Sequence, residues 1–237
     1  MLSSDTKIDI EGNISIYGNL SISKSGDNEL LAGNEVTVFF GEGPLYLENK
    51  SINPLAKGFM ISGAKVGLVR SVVEGGNQHA LKASGNISMI GIPEMIIEGK
   101  VNLEYNSYET EVSESIAVSD NEELNVDFSG LKMPSFDGAP YLNFIGLGVG
   151  IKLGSQNIRG GIVSIKRQKI SNNKEGFRIH FNAFSTGFSN GDQLLAQIEN
   201  GSGDLLIVDE GIVASINGNL KFGDEDLKAA GLFKFEY

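Results

Sequence analysis

Two histidines, His79 and His180, bound the general-base chemistry open to this chain of 237 residues. A Ser-His-Asp hydrolase needs a histidine beside an activated serine, and no Gly-x-Ser-x-Gly elbow is present. His79 lies in the polar stretch "EGGNQHALK", which reads as a turn. His180 alternates with Arg178 and opposes Phe181 in "FRIHFNAF", so it reads as an outward strand residue rather than a base. With no cysteine, two histidines cannot complete a structural zinc site without carboxylate help, and no His-x-x-x-His pair occurs. "GEGPLYLENKS" and "GSGDLL" contain glycine loops, but neither has the Gly-Lys-Ser/Thr ending that cradles phosphates; both read as hairpin turns. No residue qualifies as catalytic or cofactor-binding on these patterns.

Carboxylates leave more room. A glycosidase needs only two of them placed by the fold, so the sequence leaves that chemistry open. The absence of Trp and an aromatic content of 8% argue against the broad platforms that sugar clefts present. From Tyr108 to Gly130, "YETEVSESIAVSDNEELNVDFSG" holds seven acids and no basic residue. One reading is an edge or connecting segment whose charges discourage pairing with other molecules. The other is a calcium surface, with Glu111, Glu114 and Glu122 as candidate oxygen ligands, although no Asp-x-Asp-x-Asp-Gly loop gathers them.

The net charge of −11 argues against binding nucleic-acid phosphates without a local basic patch. The one dense basic run, "KRQK" at Lys166 to Lys169, reads as a solvated strand end. The start, "MLSSDTKIDI", lacks the pattern of a signal peptide, and no run reaches the ~18 apolar residues of a membrane helix. Absent cysteine fits the cytoplasm and equally fits proteins that cross membranes without oxidative folding. The expectation is a module cut from a longer chain, with a free-standing cytoplasmic protein as the other case.

Whatever chemistry exists must be positioned by strands. Glycines, 31 against 5 prolines, fall between runs such as "GAKVGLVRS", "EGKVNLEY", "GGIVSIKR" and "FRIHFNAF" that alternate apolar and polar residues. Period-two alternation rich in Ile, Val, Leu and Phe predicts half-buried strands joined by glycine turns or bulges. Phe177, Phe181, Phe233 and Phe235 fall on the apolar faces and read as core. "SNGDQLLAQIENGSG", Ser189 to Gly203, admits a short helix around Leu194 to Ile198 or another strand. The final "GLFKFEY" has the aromatic spacing of an outer-membrane barrel strand. Short, glycine-broken strands and absent Trp favour a soluble β domain.

One phrase repeats: Gly12-Asn13-Ile14-Ser15-Ile16, Gly85-Asn86-Ile87-Ser88-Met89 and Gly218-Asn219-Leu220-Lys221-Phe222, with a looser copy at Gly146. The first glycines are spaced 73, 61 and 72 residues apart, so adjacent spacings give nearly equal periods of 134 and 133. The chain therefore reads as two diverged copies of one β unit, 8–139 with the acidic tail and a shortened 140–237. The Gly-Asn pair reads as a turn or bulge, where φ > 0 suits only such residues. The fold expected is all-β, antiparallel and sandwich-like; a β-solenoid would need a much shorter period.

"FFGEGPLYLENKSINPLAKGFMISGAKVGLVR", "ASGNISMIGIP" and "ENGSGDLLIVDEGIVASINGNL" resemble the glycine-rich β modules strung together in very large bacterial surface or secreted, adhesin-like proteins. The resemblance covers most of 8–237 and implies an extracellular structural or adhesive repeat, with no site residues to carry over. Three functions follow as expectations. The first is a non-catalytic structural or adhesive module, partnered by neighbouring modules of its own chain and by cell-surface glycan. The second is a β domain that binds or degrades polysaccharide through surface carboxylates. The third is a subunit that self-assembles by strand addition at the edges "TKIDIEGNISI" and "GLFKFEY". No cofactor beyond possible calcium, no nucleic acid and no membrane insertion are expected.

Overall fold

Alternating sequences with one apolar face pair antiparallel, and this chain does so mostly by hairpins between successive strands. Among the skips are Ile14–Tyr17 on Asn28–Glu42, Met95–Asn106 beside Tyr141–Leu153 and Gln156–Arg159 on Lys174–Asn190. The structure, a computed structural model, describes residues 6–236 except 12, 74–75, 94, 120, 137–138, 154–155, 160, 172–173, 191–192, 209–210 and 223–224. Backbone alone is described at 72–73, 153, 156, 169–171, 174–175, 188–190, 193–195, 222 and 225–236. The chain is all-β and divides into two compact units, Met1–Gly91 with Val101–Asn143, and Ile92–Lys100 with Phe144–Tyr237.

The first unit contains β1 (Lys7–Ile10), β2 (Ile14–Tyr17), β3 (Ser21–Ser25), β4 (Asn28–Glu42), β5 (Lys57–Val73) and β6 (Gly76–Ile90). It also holds the C-terminal half of β7 (Met95–Asn106), and the hairpin β8 (Val112–Ser119) and β9 (Glu122–Phe128). Hydrogen-bonded order is β1-β2-β4-β5-β6-β7, with β3 also on β4. The opening repeat becomes the β1–β2 hairpin: Ile8 faces Ile16 and Ile10 faces Ile14, all four buried, and Asn13 supplies the turn at φ 65°. Gly12 lies outside the described residues.

The acidic segment is a structural layer. Among the described residues β8 and β9 pair only with each other, and Val112, Ile116, Val126 and Phe128 on their shared face are buried. They pack with Leu30, Ala32, Val69 and Ala80 on one face of β4–β6 and with Tyr108; Glu123 and Asp127 alternate away from this core, whereas Glu114 and Glu122 reach Asn28 and Lys65 at its margin. Burying four such side chains is worth several kcal/mol at ~1.5–3 kcal/mol each. Gly67 of β5 permits the close approach: a Cβ there would lie 2.9 Å from Val126 Cγ2 and 3.0 Å from Leu124 Cδ2.

The second unit holds the N-terminal half of β7 and, from Phe144 on, β10 (Tyr141–Leu153), whose first three residues belong to the first unit; β11 (Gln156–Arg159), β12 (Ile162–Ser171), β13 (Lys174–Asn190), β14 (Gln193–Val208), β15 (Gly211–Phe222) and β16 (Glu225–Glu236) follow. Its order is β10-β11-β13-β14-β15-β16, with β12 on β10 and β13. One face is core: Val163, Ile165, Phe177, Ile179, Phe181, Leu205, Ile207, Ala214 and Ile216 are buried. The side chains of Phe233 and Phe235 lie outside the described residues.

Three expectations are corrected here. Strands are long, 15 to 17 residues in β4, β5, β6, β13 and β14, because many glycines sit inside them rather than at their ends. "GSGDLL" is therefore no turn. Gly203 faces Phe181 across the ladder and leaves room for its ring, whose atoms would lie 2.9–3.0 Å from a Cβ. Of the two readings of 189–203, the strand is the one found: Gln193–Val208 is strand β14, with no helix among the described residues of the stretch. The repeated Gly-Asn phrases at 85 and 218 also lie within strands, each glycine facing a two-residue bulge in the preceding strand. Gly85 opposes Gly63–Ala64, and Gly218 opposes Asn200–Gly201. Both bulges use left-handed backbone, Gly63 at φ 56° and Asn200 at φ 51°.

Candidate functional site

His180 stands where the alternation put it, on the solvent side of β13 with 44% of its side chain exposed. Cross-strand partners project from the same face of a sheet, so the register builds a row: Ser164 of β12, His180, Asp204 of β14 and Ser215 of β15. Asp204 Oδ1 lies 3.0 Å from His180 Nδ1 and accepts a hydrogen bond from Arg178 Nε at 2.8 Å. The hydrogen-bonded Arg178 guanidinium, assisted by His180, holds the Asp204 carboxyl below the usual carboxylate range against a burial effect that raises it. The neighbouring row places Lys166 directly opposite Arg178.

A Ser-His-Asp sequence in one row invites comparison with a nucleophilic triad. The geometry differs in two respects. Among the described residues no hydrogen bond joins Ser164 to His180, and Asp204 is shared with an arginine rather than dedicated to the imidazole. The arrangement is a half-exposed polar strip, with one carboxylate beside two cations, able to donate and accept hydrogen bonds. Asp204 went unnoticed in the sequence because it lies 24 residues from His180 and only the strand register joins them.

The connection between β4 and β5, residues 43–56, forms a second built surface. Leu45 and Ala56 are fully buried with Phe39, and Tyr46 stacks edge-on against Tyr17 at 5.1 Å. The Tyr17 hydroxyl accepts from Leu45 N at 3.2 Å. Asn53, 7% exposed, donates through Nδ2 to Pro44 O at 2.9 Å and accepts from Leu55 N at 3.0 Å. Asn49 Oδ1 accepts from both Ser51 N and Ser51 Oγ, closing an Asx turn at the tip. On this frame Leu47, Ile52 and Leu55 point outward, 43%, 48% and 82% exposed.

The three candidate calcium ligands are held apart. Glu122 faces Ser119 at the turn of the acidic hairpin and takes Lys65 Nζ at 2.6 and 2.8 Å. Glu114 lies five strand positions back from Ser119, about 17 Å at ~3.4 Å per residue, with Asn28 Nδ2 at 3.5 Å. Glu111 is exposed just before β8. Among the described residues, no three His, Asp or Glu side chains gather as metal ligands would.

His79 is no turn residue: it sits inside β6, 4% exposed, because the β5–β6 hairpin closes before Gly76. Burial, together with the positive charge of Arg70 on the paired strand, lowers its pKa, and Glu11 pulls weakly the other way. Its Nδ1 is buried with no hydrogen-bond partner among the described residues. Glu104 on β7 anchors the connection that follows the acidic hairpin, taking Lys132 Nζ at 2.9 Å, Tyr141 Oη at 3.3 Å and Asn143 Nδ2 at 3.4 Å. Burial raises the Glu104 pKa, and Lys132, Asn143 and Lys82 more than offset this, leaving it lowered.

Comparison with protein-family models, curated proteins and solved structures yields no match for this chain. No helix among the described residues is long and apolar enough to cross a membrane.

Proposed function

We propose that this chain is a non-catalytic structural or adhesive repeat module of a larger bacterial surface protein. It works outside the cell and makes contact through the 43–56 loop. The observation that carries this reading is the construction of that loop. Connections of this length in a hairpin are uncommon unless they serve a purpose. This one is anchored by a buried asparagine and a tyrosine stack, and it holds three aliphatic side chains in water. A preordered loop loses little conformational freedom on binding, and its exposed leucines and isoleucine release water when covered.

Neighbouring modules of the same chain are the natural flanking partners, and the recurrence of a glycine opposite a bulge at Gly85 and Gly218 supports a duplicated unit. The protein as it occurs in its source cells tests the setting. An antibody to this chain is expected to label intact cells and to detect a polypeptide far longer than 237 residues. Labelling only after permeabilisation, on a polypeptide of this length, would refute it.

A further inference from the structure

The outer face of β12–β14 carries an arrangement that the loop reading leaves unused. Lys166 and Arg178 are directly opposite each other on adjacent antiparallel strands, and both are exposed. Like charges in that relation destabilise a sheet. Asp204 relieves only part of the conflict, since it engages Arg178 through Nε alone; the terminal Nη groups make no hydrogen bond, and Lys166 has no ion pair, among the described residues. Two cations thus stand side by side on a chain whose net charge is −11.

The next row offers the opposite chemistry. His180, Ser164, Ser215 and the second carboxylate oxygen of Asp204 present hydrogen-bonding groups that suit hydroxyls. Rows on one face repeat every second residue, about 6.6–6.8 Å apart along the strand. The face therefore displays an oxyanion-binding pair beside a hydroxyl-binding strip, at the spacing of groups on a single sugar.

We propose that this face binds the uronate residues of an acidic polysaccharide, with each carboxylate on Lys166 and Arg178 and ring hydroxyls on Asp204 and Ser164. The cation pair supplies charge complementarity, and the Arg178 fork can take a carboxylate through two nitrogens. Asp204, one row away, disfavours polymers with denser charge such as polyphosphates. The assignment names a ligand class for the adhesive reading but uses residues separate from the 43–56 loop, so each can fail without the other.

The test is titration of the full chain with a short oligogalacturonate in calcium-free buffer, read by calorimetry. The methyl-esterified oligomer, which keeps the hydroxyls and loses the charge, and a polyphosphate serve as comparisons. Saturable binding to the oligogalacturonate is expected, with little to the ester or the polyphosphate. Lys166→Glu should weaken binding about tenfold, the scale of one exposed ion pair lost and one repulsion gained. Lys166→Arg should stay within about twofold, and Leu55→Ser should change nothing. No binding, equal binding of the ester, tighter binding of polyphosphate, or binding by Lys166→Glu equal to the parent's would each overturn the assignment.

Discussion

Replacing Gly85 by alanine tests whether the repeated glycine is a spacer inside the sheet or a removable punctuation mark. Gly85 lies in β6 opposite the Gly63–Ala64 bulge of β5. A Cβ there would lie 2.7 Å from Ser62 O, 2.8 Å from Ile61 Cγ2 and 3.1 Å from Ala64 Cα. Two of those three atoms are backbone, and Ile61 is fully buried, so relief requires moving the bulge itself. Overpacking of this kind costs ~1–3 kcal/mol, and backbone obstruction places it in the upper half, about 2–3 kcal/mol. For a domain of this size that lowers the melting temperature by about 4–12 °C. Gly150→Ala is the matched control. Its nearest atom would be Glu98 O at 3.9 Å, and its φ lies outside the left-handed region, so alanine there should be neutral or stabilise by ~0.4–1 kcal/mol. Urea unfolding of both variants measures the difference, expected at about 3 kcal/mol. A Gly85→Ala variant within about 0.5 kcal/mol of the parent would refute the reasoning.

Phe128→Ala should destabilise by ~3–5 kcal/mol, since Phe128 is fully buried, packs against Tyr141 and lies under Lys82; near-native stability by urea titration would mean the acidic hairpin is not docked. His79 has a folded pKa below its unfolded value of ~6.5, so its contribution is fully present above that pH and is lost as pH falls toward the folded value. A His79→Gln variant should lack this loss between about pH 6.5 and 5, above the carboxylate range; identical pH profiles for the two proteins would contradict the assignment. Burial pushes the Tyr108 hydroxyl up to about 12 and raises Tyr105 and Tyr141 as well, so a Tyr108→Phe variant should lose one tyrosinate from the late-titrating group in absorbance, and stability should fall as pH rises from about 10 toward that value. Millimolar calcium should leave the melting temperature unchanged because the register separates Glu114 from Glu122. An EDTA-reversible rise of several degrees, the ~2.7 kcal/mol effect of a site at 100 times Kd, would show that separation to be wrong.

Alternation was readable because it is local: every second residue of "KIDI" or "FRIHF" meets the core whichever strand lies beside it. What a glycine does depends on its cross-strand neighbour. Gly203 looks like turn material until β13 sets the Phe181 ring over it, and Gly85 looks like a strand break until β5 bulges opposite. The polar flanks of His79 suggested a turn, yet the β5–β6 register, which pairs Val73 with Gly76 and Arg70 with His79, puts it inside β6. His180 was placed on the correct face, but its pairing with Asp204 needed the register of β13 on β14, which shifts at bulges near Asn182 and Phe184. A one-residue slip there would have put Asp204 on the core face. The 43–56 loop was legible as a connection, whereas its rigidity rests on Tyr17, contributed by β2.

Retention of the module on cell surfaces under flow tests the central claim most directly. Beads coated with the full chain are compared with beads carrying the Leu47→Ser, Ile52→Ser, Leu55→Ser triple variant on the same bacterial and host-cell layers. The three side chains are exposed, so the variant should keep the parent's melting temperature while its retention falls to that of uncoated beads. Equal retention of the two proteins, at equal stability and coating density, would contradict contact through the 43–56 loop.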